Sequence, residues 1–380
     1  MMRIVVAGAG LAAARACSAL RRSGFDGELV VLGAEPHAPY DRPPLSKAVL
    51  AGERDDAPLP FDPEALGVRL RTGVAATGLD VTGRVVHTDE GDEPFDRLLL
   101  ATGAEPIRLP GDGEQLTVRT LEDALALRAR LTAGARVVII GASWIGAEVA
   151  TAAGAAGCHV TCLEASPAPL SAALGTEVGA LLTPWWSGVD LRLDTTVASI
   201  DPGGVQLADG ASVPADVVVT GVGVRPATGW LSGSGLEIGN GVHVDEHLRT
   251  SAPGVLAVGD VAARWSPRCG TRVRVEHWDE AGAAASVAAR VLLAGGDDTT
   301  GEQDLPVHDP VPYFWSDQFG RKVQYVGHHD PADDVEIDTS DPDKPAARWH
   351  SPAGRPTAWL GVNRMKELAG ARKAIAQASA

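Results

Sequence analysis

Residues 3–24 read RIVVAGAGLAAARACSALRRSG, and residues 136–157 read RVVIIGASWIGAEVATAAGAAG. Each begins as a short run of branched apolar residues, passes a glycine turn and continues as an alanine-rich helix. Each is followed by a second apolar run, ELVVLGAE at 28–35 and HVTCLEA at 159–165. The chain thus carries two β-turn-α-β units, with Gly8 and Gly141, the first glycines of their turns, 133 residues apart. Uninterrupted apolar strands alternating with helices predict parallel sheets covered on both faces. The expected fold class is α/β: two Rossmann-like domains plus a small α+β C-terminal domain.

Outward from these units the same punctuation recurs. FDRLLLATGAEPIRLPG (95–111) is a strand ending in a Thr-Gly turn, and ADVVVTGVGVRP (215–226) and GVLAVGDVA (254–262) repeat the plan. TDEGDEPFDR (88–97) and ADGASVPADV (208–217) carry turns that predict short hairpins. GGDDTTGEQD (295–304) reads as a loop. Beyond Val311 the aromatic, alternating PYFWSDQFGRKVQYVG predicts a small antiparallel domain, closed by the basic helix NRMKELAGARKAIAQ (363–377).

With 33 Lys and Arg against 49 Asp and Glu, the net charge is −16. That balance argues against nucleic acid or an anionic membrane as partner. No apolar run approaches the ~20 residues of a membrane span. MMRIVVAGAG lacks the pattern of a cleaved signal. Four scattered cysteines (Cys17, Cys158, Cys162, Cys269) make no disulfide framework. A soluble, cytoplasmic protein is expected.

The first turn, Gly8-Ala9-Gly10-Leu11-Ala12-Ala13, has the spacing of a dinucleotide fingerprint. Gly8 makes the tight turn, Gly10 lets a pyrophosphate approach the backbone at the positive end of the helix, and Ala13 is small enough for helix-on-strand packing. Glu35, 27 residues after Gly8, is the candidate carboxylate for a ribose. The second turn is Gly141-Ala142-Ser143-Trp144-Ile145-Gly146, with Glu164 ending its second strand. One fingerprint alone is weak evidence; two, each with strand, helix and terminal carboxylate, point to two dinucleotides. A flavin and a nicotinamide together imply hydride transfer.

PYDRPPLSK (39–47), LLLATGAEP, GASWIGAEVA, TGVGVRP, LAVGDVA, VEHWDEA and PYFWSDQFG occur in that order. Together they resemble the FAD-dependent NAD(P)H:ferredoxin reductases of the two-dinucleotide-binding-domain flavoproteins, the electron-transfer components of cytochrome P450 and Rieske oxygenase systems. The resemblance spans the chain. It implies an FAD-binding domain in two pieces (1–109 and 232–307), an NAD-binding domain (110–231) and a C-terminal domain (308–380). It also implies non-covalent FAD held by Gly8, Gly10, Leu11, Ala12, Ala13, Glu35, Arg42, Lys47, Val74, Ala101, Thr102, Gly103, Arg119, Gly259, Asp260, His277, Trp278 and Trp315. NADH, rather than NADPH, is expected on Gly141, Ser143, Trp144, Ile145, Gly146, Glu164, Gly221, Val222 and Gly223. No metal site is expected, and the implied acceptor is an iron–sulfur ferredoxin. The expected assembly is a monomer or weak homodimer.

Several residues have two readings. Glu148 stands alone in the apolar run WIGAEVATAA and would be costly to bury unpaired. Lys47, after Pro43-Pro44, is the cation that the family places opposite it beside the flavin. The alternative is a solvated Lys47 and an unrelated Glu148. Trp278 and Trp315 are either core or flavin wall, and Trp144 is a candidate nicotinamide gate. Cys158 and Cys162 read as packing on one strand face, or with His159 as metal ligands. No cysteine stands in the PPLSK region, where disulfide reductases of this fold carry a redox pair.

Two positions depart from the family: Ala34, where relatives have aspartate, and Ala172, where they have an arginine that grips the nicotinamide dinucleotide. The Trp185-Trp186 pair has no reading from sequence. An apoptosis-inducing-factor-like redox sensor and an NADH oxidase or peroxidase share the motifs. Two cationic segments are expected to steer an acidic ferredoxin: Arg264, Arg268, Arg272 and Arg274 in one, Arg364, Lys366, Arg372 and Lys373 in the other.

Overall fold

The computed structural model describes residues 1–294 and 305–378; the predicted loop at 295–304 lies outside them. Seven helices are used below: α1 (Leu11–Arg22), α2 (Leu121–Arg130), α3 (Trp144–Ala155), the short α4 (Ser171–Leu174) and α5 (Thr176–Ala180), α6 (Trp278–Leu293) and α7 (Met365–Ala378).

Both β-turn-α-β units form, each inside its own parallel sheet. The first sheet has strand order Val255–Ala257, Arg97–Leu100, Arg3–Ala7, Glu28–Gly33, Val68–Thr72. Val5 pairs with Val30 on one side and Leu98 on the other, and all three are fully buried. The second has order Asp190–Arg192, His159–Leu163, Arg136–Ile140, Val217–Thr220. Strands buried on both faces explain the unbroken apolar runs. Gly8 closes the first strand at φ 110°, where a Cβ would sit 2.2 Å from the Ala101 carbonyl oxygen, so no other residue fits. Gly141 repeats this at φ 98°.

The hairpins expected at 88–97 and 208–217 are present, each in a three-stranded antiparallel sheet. Strands Ala104–Pro106 and Val224–Pro226 pair antiparallel where the chain crosses between the two parallel sheets. The C-terminal part is a five-stranded antiparallel sheet of order Tyr313–Gln318, Arg321–Gly327, Pro356–Val362, Ala346–His350, Asp334–Asp338. Helix α7 covers it through Ile375, against Val311, Val326 and Trp359.

The structure gives Trp185 and Trp186 a role. Trp185 joins Leu170, Leu174, Val178 and Leu182 to Val323, Tyr325 and Leu360 of the C-terminal sheet, beneath the Arg321 guanidinium at 5.0 Å. Trp186 meets Phe319, in the tight turn of the C-terminal hairpin, at 5.0 Å. The pair pins the C-terminal sheet to the second parallel sheet, each buried indole contributing ~2–3 kcal/mol.

Among the described residues no helix is long and apolar enough to cross a membrane.

Candidate functional site

Both glycine turns open onto one cavity of about 660 Å³, a size typical of small-molecule sites. Gly8, Gly10, Leu11 and Ala12 form its wall at the start of α1. A Cβ on Gly10 would meet nothing within 4 Å, so the backbone there is open to a ligand. The first turn of α1 has no acidic residue, which leaves its positive end unopposed for an anion. Thr102 and Gly103 line the cavity from the turn after the strand Arg97–Leu100, with Ala101 and Val74.

One end is polar. Tyr40 and Arg42 both donate to Glu35, with Arg42 Nη2 2.6 Å from Oε1 and the Tyr40 hydroxyl 2.5 Å from Oε2. The predicted ribose carboxylate thus lies two residues past the strand, already held by two donors. In the middle, Arg119 Nη2 donates to Asp260 Oδ2 at 3.0 Å, while Gly259 supports the turn at φ 71°. Glu276 lies near this pair; burial pushes its carboxyl up, opposed by the Arg274 guanidinium.

The other end is aromatic. Trp278 Nε1 donates to Asp41 at 2.5 Å, and its ring meets Trp315 edge-on at 6.1 Å and the Arg15 guanidinium at 5.9 Å. His277 and Trp144 flank Phe314, at ring separations of 4.9 and 4.8 Å. His277 Nδ1 and Trp230 Nε1 are buried with no partner, and both residues line the cavity. Burial drives the His277 imidazole down to about 4. Two orphaned polar atoms, an open glycine turn and an aromatic wall suit a large ligand with a pyrophosphate, polyol and planar ring system, the make-up of FAD.

Lys47 and Glu148 meet. The π-helical turn Leu45–Val49, following Pro43-Pro44, carries Lys47 to the cavity wall, where Nζ lies 2.9 Å from the Glu148 carboxylate. Glu148 is 4% exposed but not alone. Ser46 Oγ donates to Oε2, and Ser316 Oγ donates to Oε1 at 2.6 Å. The alternative of a solvated lysine and an unrelated glutamate is thereby excluded.

Of the second fingerprint, Ser143, Trp144 and Ile145 line the cavity, as do Gly221 and Gly223. Gly141, Gly146, Glu164 and Val222 lie off its wall, and so does Ala13, which is fully buried in the first turn of α1. Gly146 is a packing residue, since a Cβ there would come 2.0 Å from the Gly141 carbonyl oxygen. The Ala142 and Ser166 amides donate to Glu164 at 2.7 and 2.8 Å. Sequence reasoning missed Ser46, Ser316, Phe314, Tyr40 and Glu276. The available signal was their position beside residues already singled out.

The cationic segments need correction. Arg264 is 3% exposed and pairs with Glu280 and Asp309, while its strand neighbour Trp265 is 39% exposed. Arg274 pairs with Glu276, Arg364 with Asp338 and Glu367, and Arg372 with Asp279. Lys366, Lys373 and Arg272 are exposed, and Arg268 is half-buried. The two segments do converge: Arg268 donates to the Ala376 carbonyl of α7, and Arg372 reaches the first turn of α6 beside Trp278.

A family model for pyridine nucleotide-disulphide oxidoreductases matches residues 2–285, and one for a reductase C-terminal region matches residues 313–380. The chain belongs to the pyridine nucleotide-disulphide oxidoreductases. It is similar to the ferredoxin–NAD(+) reductase component of the p-cumate 2,3-dioxygenase system of Pseudomonas putida, 36% identical over 336 residues, 86% of this chain and 81% of that protein. Among solved structures, Fdr9 is 60% identical at a TM-score of 0.96, over 100% of this chain and 95% of that one. Putidaredoxin reductase in its covalent complex with putidaredoxin is 31% identical at a TM-score of 0.90, over 98% and 93%. This oxidoreductase has no cysteine among the residues lining the cavity. Cys17 and Cys162 are fully buried, and burial pushes the Cys17 thiol up to about 12 and raises that of Cys162 too. Cys158 and Cys162 belong to one apolar cluster.

Proposed function

We propose that the protein takes a hydride from NADH onto FAD bound in the cavity and passes single electrons to an iron–sulfur ferredoxin serving a cytochrome P450 or Rieske oxygenase. The observation that carries this reading is one cavity lined from both glycine turns. It lets a nicotinamide entering over Ser143, Trp144 and Gly221 approach a flavin lying against Lys47, Trp278 and Trp315. FAD supplies the redox chemistry; the chain's part is to bind, orient and tune.

Gly8, Gly10 and the start of α1 would hold the pyrophosphate, Asp260 and Arg119 the ribityl region, and Glu35 with Arg42 the adenosine ribose. Binding is non-covalent. NADH is favoured over NADPH because Glu164 ends the second unit's strand, where a carboxylate accepts from a ribose 2′-OH and repels a 2′-phosphate. No arginine occurs from Ala165 to Gly175 to receive that phosphate.

A ferredoxin as acceptor agrees with a cavity wall free of thiols and with what the relatives' names say of those proteins. The same lack weighs against a cysteine-dependent oxidase or peroxidase. Docking is assigned to the face where α7 meets the start of α6, beside Trp278. The proposed assembly is a monomer or weak homodimer, working in the cytoplasm. The domains of this reading are 1–109 with 232–307, 110–231 and 308–380.

Stopped-flow mixing tests the whole scheme. NADH should bleach the FAD absorbance in one fast phase, and an oxidised [2Fe–2S] ferredoxin should restore it. Purified protein that takes up no FAD, or reduced flavin that ferredoxin leaves unoxidised, would overturn it.

A further inference from the structure

We propose that Ser316 is a positioning residue through which the C-terminal sheet fixes the Lys47–Glu148 pair at the cavity wall. The inference deepens the flavin-reductase reading above and rests on it.

Three separate parts of the chain meet at the Glu148 carboxylate. Helix α3 supplies the carboxylate itself. The π-turn supplies Ser46 and Lys47, and the C-terminal strand supplies Ser316 and the Asp317 amide, the latter at 3.3 Å. The meeting follows from two periodicities. Trp144 and Glu148 are four apart on one face of α3, and Phe314 and Ser316 are two apart on one face of their strand. Phe314 therefore meets Trp144 while Ser316 meets Glu148.

The direction of the hydrogen bond is fixed. Ser316 is fully buried, and Gln318 Nε2, a donor only, approaches its oxygen at 3.5 Å. The hydroxyl proton is thus left for Glu148. An apolar residue would fill this buried position without the cost of sinking a hydroxyl, so packing alone does not call for serine. Fixing the carboxylate fixes Lys47. The ammonium has three donors; Glu148 and the Pro43 carbonyl, at 3.4 Å, take two, which leaves one at the cavity wall for a bound acceptor.

The test is a double-mutant cycle in the full-length, FAD-loaded protein, using Ser316→Ala, Ser316→Thr, Glu148→Gln and Ser316→Ala/Glu148→Gln. The readouts are the rate of flavin reduction by NADH and the flavin midpoint potential, with Tm followed in parallel. Ser316→Ala should slow reduction about tenfold, the worth of one hydrogen bond to a charged group, and shift the potential. Ser316→Thr, which keeps the hydroxyl, should restore both to within about twofold of the parent, the scale of a few tenths of a kcal/mol. In the Glu148→Gln background Ser316→Ala should add almost nothing, as expected of two residues acting as a unit. If Ser316→Ala does not fold, Ser316→Cys, near in size but a weaker donor, takes its place with the same fall expected.

A folded Ser316→Ala with parental rate and potential overturns the proposal alone, as does a full Ser316→Ala penalty in the Glu148→Gln background. A parent protein that binds no FAD overturns the flavin reading and this proposal together.

Discussion

Replacing Lys47 by methionine keeps an unbranched side chain out to Cε and removes the ammonium with its charge. Its effect can be divided between the fold and the flavin. Removing one partner of a buried ion pair ordinarily costs ~3–5 kcal/mol, because a bare charge stays behind. Glu148 would not be bare here: both serine hydroxyls and the Asp317 amide still donate to it, and Lys47 is itself 23% exposed. Hydrogen bonds to a charged group are worth ~1.5–3 kcal/mol each, so the stability loss should stay near ~1–2 kcal/mol. The flavin feels the other part. The pair changes from net zero to −1 at the cavity wall. At ~8 Å and an effective dielectric constant of ~20, a unit charge is worth ~2 kcal/mol. For a two-electron couple that is ~40 mV, and reduction becomes harder. Spectroelectrochemical titration of the FAD-loaded Lys47→Met protein should give a midpoint lower by that amount, while urea unfolding shows only the small loss. A folded, FAD-loaded variant whose midpoint lies within ~10 mV of the parent would refute the reasoning, since no separation across a cavity this size makes a unit charge so weak.

Three further outcomes are expected. kcat/KM for NADH should exceed that for NADPH at least tenfold, and Glu164→Ala should narrow the ratio; equal values in the parent would remove Glu164 as the discriminator. Charge reversal at the exposed Lys366 and Lys373 should raise the apparent KM for ferredoxin several-fold and flatten its salt dependence, with NADH-to-ferricyanide turnover unchanged; a parallel fall in both activities would place docking elsewhere. For His277, burial lowers the imidazole to about 4 against the opposing pull of Glu280, Asp260 and Asp279, with His328 adding to the fall. The unfolded chain then takes up the proton first, near pH ~6.5, so this contribution is complete above that pH and is lost as pH falls toward 4. The loss amounts to ~3 kcal/mol, and unfolding of His277→Gln across that window should show a flatter profile, an unchanged slope counting against the assignment.

What the sequence disclosed, and what it withheld, follows from the range over which each signal acts. The two parallel sheets were legible because a strand buried on both faces must be apolar at every position, and RIVVA and RVVII cannot be read otherwise. The glycine turns were legible because Gly8 tolerates no side chain against Ala101, a requirement that leaves its mark on a single position. The partners of Glu148 were not legible. Ser316 lies 168 residues away, and nothing in a serine among aromatic residues says which helix face it will meet. The arginines of the Asp260 region misled for a related reason. Cations in a polar stretch read as solvated, yet Arg264 is buried in its strand and Trp265 is the exposed residue there. What reverses them is the pair of carboxylates, Glu280 and Asp309, brought in by α6 and by the segment entering the C-terminal sheet. A buried charge is permitted only by partners that the tertiary fold delivers. Trp185 and Trp186 belong to the same class, since their meaning lies in Arg321 and Phe319, residues of a sheet the local sequence does not mention. Local pattern thus specified both glycine turns and their parallel sheets, whereas the contacts that bind three parts of the chain around one cavity, and that set the charge on its wall, arise only where those parts pack.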